Sequence, residues 1–123
     1  IMLTKHLLLE KMLTPDFDEG IERAVSYIEE NLAEDLSIRN ISRGVNISKS
    51  VLYKKFHTVF DCTISEYINT QRVEKSLELL TKTDFSIEEI SQKVGFSSTS
   101  YYSKVFKKLK GVTPLKYKKR GRL

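Results

Sequence analysis

Apolar residues along this chain recur mostly at spacings of three and four, the period of helices that bury one face. Ile21, Ala24, Val25, Ile28 and Leu32 form one such stripe, and Ile87, Ile90 and Val94 form another. Between them, Ile64, Tyr67, Ile68, Leu77 and Leu80 supply the apolar face of a longer helix. Over roughly residues 64–82 it would span about 28 Å at 1.5 Å per residue. Two capping boxes, Thr63 with Glu66 and Ser86 with Glu89, mark helix starts, because each pairs a hydroxyl and a carboxylate three residues apart. The pattern predicts an all-α chain.

Part of this pattern is written twice. "SIRNISRGV" from Ser37 and "SIEEISQKV" from Ser86 share Ser, Ile, Ile, Ser and Val at the same places. With one residue inserted in the turn, the match continues through Ser48 and Ser98, Ser50 and Ser100, Lys54 and Lys104, and Phe56 and Phe106. Thr63 and Thr113, then Tyr67 and Tyr117, extend it. Each copy reads as two short helices about a tight turn. Gly95 accepts the positive φ that such a turn demands, and Asn46 at the matching place is the next most tolerant choice. Ser48, and Ser97 or Ser98, are placed to cap the second helices. Those helices are expected to bury Val51, Leu52 and Phe56 in one copy, and Tyr101 or Tyr102, Val105 and Phe106 in the other. The small Ser42 and Ser91 would let the crossing helix come close. Helix, sharp turn and basic second helix make a helix-turn-helix, and two matching copies are far stronger evidence than one.

Charge changes the picture from fold to partner. Residues 1–47 carry five basic and nine acidic side chains, whereas residues 48–123 carry sixteen basic and seven acidic. No acidic residue follows Glu89, while ten Lys or Arg do. A polyanionic partner is the natural reading of such a half, with a solvated, solubilising surface as the alternative. With 40% hydrophobic and 30% charged residues the composition is that of a globular domain. No apolar run approaches the ~20 residues of a membrane span, and no secretory pattern is visible. The one cysteine, Cys62, permits no internal disulfide and no Cys-rich zinc site, and is compatible with a reducing cytoplasm. His57 and Cys62 are the one pair that could suggest catalysis or a metal, with His6 far off in sequence. No carboxylate or second cysteine stands at ligand spacing, so structural roles are expected there and neither cofactor nor metal. Residue 1 is Ile, as expected for a piece of a longer protein.

The run "SIEEISQKVGFSSTSYYSKVFKKLKGVTPLKYKK" resembles the signature of the AraC/XylS transcription regulators. "LYKKF" and "RVEKSLELL" upstream resemble the same family's first recognition helix and linker helix, so the likeness covers about residues 20–120. It implies two helix-turn-helix subdomains joined by a long linker helix, about seven helices in all. The expected division is a linker or remnant of a preceding domain over 1–16, a first subdomain over 17–62, the linker helix over 63–83, and a second subdomain with a basic tail over 84–123. The family also implies sequence-specific binding of double-stranded DNA, with recognition helices at about 48–58 and 98–109 entering successive major grooves. RNA polymerase is a further candidate partner. The fragment is expected to be monomeric, with any dimerisation in a missing N-terminal domain. Asp61 stands where the family usually has a helix-ending Gly, so the first subdomain is expected to be looser or to end differently. Lys54 stands where Arg is frequent, which gives up the planar fork and softens selectivity for guanine.

Outward positions of the two recognition helices are the candidate base readers: Lys49, Ser50, Tyr53 and Lys54, then Thr99, Ser100, Ser103 and Lys104. Lysines can donate to guanine O6 and N7, and hydroxyls can serve either base type. Phosphate contacts are expected from Lys55, His57, Lys107 and Lys108, and from the capping residues Ser48 and Ser98 with the free amides beside them. Arg120 and Arg122 lie in a basic tail that reads equally as a charged end. The competing reading from another class is a helical protein-interaction module whose lysines only solubilise. No nucleophile–base pair or phosphate-cradling loop suggests an enzyme.

Overall fold

The computed structural model describes residues 5–121, with side chains from Leu9 onward. Among these residues there are eight helices and no strand. They are α1 (Lys5–Met12), α2 (Glu19–Glu30), α3 (Ile38–Val45), α4 (Lys49–Phe60), α5 (Ile64–Lys82), α6 (Ile87–Lys93), α7 (Thr99–Lys110) and α8 (Pro114–Gly121). This is one helix more than the seven expected, because the segment preceding Pro15 is itself helical.

The chain divides into two compact units, one ending at Ile68 and the other beginning at Asn69. In the first, the predicted stripe of α2 is buried as expected, with Ile21 and Ala24 fully shielded. It closes on Ile41 and Val45 of α3, on Leu52, Phe56, Val59 and Phe60 of α4, and on Ile64, Tyr67 and Ile68 from the start of α5. Phe60 and Tyr67 stack with centroids 4.8 Å apart, and burial pushes the Tyr67 phenol well above its ordinary pKa. Met12 of α1 packs against this core. In the second unit, Val73 and Leu80 of α5 pack with Ile90, Val94, Phe96, Tyr102 and Phe106. Tyr102 resolves the choice between the two tyrosines: it is fully buried, whereas Tyr101 is exposed.

Local chemistry explains where each helix begins. Ser37, Ser48, Ser86 and Ser98 each accept a bond from the backbone N–H three residues on, which satisfies one of the free donors of a helix start. Both capping boxes form, with Thr63 N donating to Glu66 at 2.9 Å and Ser86 N to Glu89 at 3.0 Å. The two turns are built alike. Ile47 N donates to Ser42 O at 3.2 Å, and Phe96 N donates to Ser91 O at 3.0 Å. Each turn passes through one left-handed residue, Asn46 at φ 55° or Gly95 at φ 100°.

Three expectations need correction. Val51 is 41% exposed and does not join the core, because Leu52 and Phe56 already fill the inward stripe of α4 and Val51 falls 100° to one side. Asp61 does not end its helix differently: it adopts φ 55°, and its N–H bonds His57 O as that of Gly111 bonds Lys107 O. Along α5 the buried positions include Val73 and Ser76, which the apolar pattern passed over, while Leu77 is only half-buried. Ser76 can be buried because its hydroxyl donates to Val73 O at 2.6 Å.

Candidate nucleic-acid interface

Helices α4 and α7 present matching surfaces. With 100° between successive residues, the side opposite buried Leu52 carries Ser50, Lys54 and His57, and the side opposite Tyr102 carries Ser100, Lys104 and Lys107. All six are exposed. Each ridge thus has a hydroxyl near the helix start, a lysine four residues on and a nitrogen-bearing side chain three beyond that, His57 or Lys107, all reachable from one groove edge. Lys49, Tyr53 and Lys108 are also exposed, with Tyr53 at 49%, while Ser103 is half-buried on the flank of its ridge. Lys107 and Lys108 also fall in the last turn of α7, where the partial negative charge of the helix end favours cations.

Two candidate residues are otherwise engaged. The Lys55 ammonium is bound to the Asp18 carboxylate, which also caps α2 through Ile21 N at 3.0 Å. These bonds hold the Asp18 carboxyl below the ordinary carboxylate range, the Lys55 bond first and the amide of Ile21 second. Lys55 thus ties α4 to the start of α2. Thr99 is half-buried, and its hydroxyl lies 3.2 Å from that of Ser91 across the turn between α6 and α7. Ser91 in turn donates to Glu88 O, so Thr99 closes the turn rather than pointing out of it. Ser48 and Ser98 accept from Val51 N and Tyr101 N at 3.4 and 3.1 Å. Both remain exposed; the Ser48 hydroxyl also lies 3.4 Å from that of Ser50, while that of Ser98 keeps its proton to donate.

Positions that the sequence reading left out also shape this surface. The Asn69 amide of α5 donates to the Tyr101 hydroxyl at 2.9 Å. Lys118 of α8 donates to Phe85 O at 2.8 Å, and Lys110 pairs with Glu74, so part of the basic run is structural. Arg120 is exposed at the end of α8; Arg122 lies outside the described residues, as do Ile1 and the side chain of His6. Cys62 is buried, which pushes its thiol up to about 11.

A family model described as a helix-turn-helix domain matches residues 41–120. The regulatory protein PocR of Salmonella typhimurium is 34% identical over 101 residues, which are 82% of this chain and 33% of that protein. The chain thus spans about a third of that relative's length. The C-terminal domain of AraT, a response regulator from Geobacillus stearothermophilus, superposes with a TM-score of 0.81 at 28% identity, over 86% of this chain and 88% of that one. A Chromobacterium violaceum transcriptional regulator of the AraC-type DNA-binding-domain-containing proteins gives 0.77 at 28% identity, over 83% and 91%.

Proposed function

This chain belongs to the AraC-type helix-turn-helix family, and from that premise we propose that it binds double-stranded DNA as the reading module of a transcription regulator. One observation carries the proposal. Two copies of the same hairpin expose the same ridge, Ser50, Lys54 and His57 in one and Ser100, Lys104 and Lys107 in the other. A solubilising surface has no reason to repeat Ser and Lys at two matching helical positions with a nitrogen-bearing side chain at the third. A pair of groove readers does, because each helix meets an equivalent groove edge. The two helices enter successive major grooves, and α5, nineteen residues long, is the spacer between them. At 1.5 Å per residue it extends about 28 Å, near the ~34 Å between major grooves one turn apart.

Roles divide by geometry. Ser50, Tyr53, Lys54, Ser100, Ser103 and Lys104 face base edges, with Lys49 beside them. His57, Lys107, Lys108, Ser48 and Ser98 hold phosphates. Lys55 and Thr99 support the helices from behind. RNA polymerase is a partner of the whole regulator, acting in the cytoplasm, and the chain itself binds DNA as a monomer. Binding should weaken steeply with salt, by about one power of salt concentration for each phosphate neutralised. Fluorescence anisotropy with a labelled duplex between low and physiological salt tests this. Shallow, sequence-blind binding would favour the protein-interaction module instead.

A further inference from the structure

Tyr101 carries the one phenol of α7 that is solvent-exposed, 45% by area, and the base-facing ridge does not use it. With 100° per residue it lies on the same flank as Lys108, one step off the ridge of Ser100 and Lys104. Lys108 on that flank is one of the phosphate-holding residues, so the phenol beside it is within reach of the strand backbone, whereas Ser103 stands on the opposite flank. The phenol is held from two sides. Its hydroxyl receives a bond from the Asn69 amide at 2.9 Å, so its own proton remains to be donated. Its ring meets Phe96 edge-on, with centroids 5.9 Å apart. Phe96 is itself buried beneath the Arg72 guanidinium, 6.0 Å from its centroid. The first unit has no equivalent: the matching position is Val51, exposed but without a polar atom.

We propose that Tyr101 is a DNA phosphate clamp of the second unit, donating its hydroxyl proton to a backbone oxygen, and that Asn69 is the positioning residue that aims it. This rests on the DNA-binding reading above. Ordering the ring before binding avoids the entropy of fixing it on the DNA, which favours affinity without adding charge.

The test compares the chain with Tyr101→Phe, Asn69→Ala and the double variant, by anisotropy on a preferred duplex and on a scrambled one. Tyr101→Phe, which removes only the hydroxyl, should weaken binding to both duplexes alike, about tenfold for a bond to a charged acceptor. Its salt slope should match that of the unaltered chain, whereas Lys107→Ala should lower the slope by about one. Asn69→Ala should weaken binding less, and the double variant should bind no worse than Tyr101→Phe alone. The thermal midpoint of Tyr101→Phe should stay unchanged, because an exposed hydroxyl is lost. Wild-type affinity for Tyr101→Phe, a change in its sequence preference, or full additivity with Asn69→Ala would each overturn the clamp. If the unaltered chain binds no duplex, it is the DNA-binding reading that fails, and the clamp falls with it.

Discussion

Lysine 54 and lysine 104 occupy equivalent places on two ridges, yet a lysine is a point donor without the guanidinium fork. Lys104→Ala is therefore expected to relax preference at one base position, at a cost of about 1–3 kcal/mol on the preferred duplex and little on others. Lys107→Ala should instead weaken all sequences alike, and a competition series with single-base variants separates the two. Lys55 belongs to a different class, because Asp18 already neutralises it. The Asp18 pair and cap are ionised-state interactions with a depressed carboxyl pKa. Their contribution is thus complete above the ordinary carboxylate range and is lost as pH falls through the depressed value. Asp18→Asn should therefore lower stability at neutral and alkaline pH, leave the most acidic end unaltered, and so flatten the acid limb of the stability–pH curve followed by circular dichroism. Sequence reading could not see this pair, since its partners stand 37 residues apart and nothing in a linear pattern joins them. Thr99 was equally hidden, because its partner Ser91 becomes a neighbour only once the turn is formed.

At the level of helices and turns, the capping serines, the boxes at Thr63 and Ser86, and the turn residues Asn46 and Gly95 were all legible in the sequence. They act on backbone groups three or four residues away, which is the range over which a sequence pattern reports directly. The misreadings concern faces and ends. The apolar side chain of Val51 suggests a core position, but its angle on α4 puts it outside. The side chain of Asp61 disfavours a left-handed cap, but backbone position overrides that preference and it takes the cap that Gly111 takes. That conformation costs a non-glycine residue roughly 1–2 kcal/mol. Asp61→Gly should accordingly raise the stability of the chain by up to about 1 kcal/mol in urea unfolding. Gly111→Ala should lower it by a similar amount, for conformational reasons alone, since an added Cβ meets nothing within 4 Å there. A destabilised Asp61→Gly would mean that the carboxylate makes a compensating contact.

Over the whole molecule, charge and repetition point the same way. The acidic excess lies before residue 48 and the basic excess follows it, so the second stretch is suited to phosphates and the first is not. The shared fold and family account for the two hairpins, while the division of labour between them rests on which side chains each ridge exposes. If both read bases, the preferred DNA must hold two blocks. The direct measurement is selection of the purified chain against a random duplex pool at ~150 mM salt, followed by sequencing of what it retains. Two short conserved blocks about one helical turn apart, some 10 base pairs between centres, are the predicted result. A single block, or retained duplexes with no shared sequence, would contradict paired reading by α4 and α7.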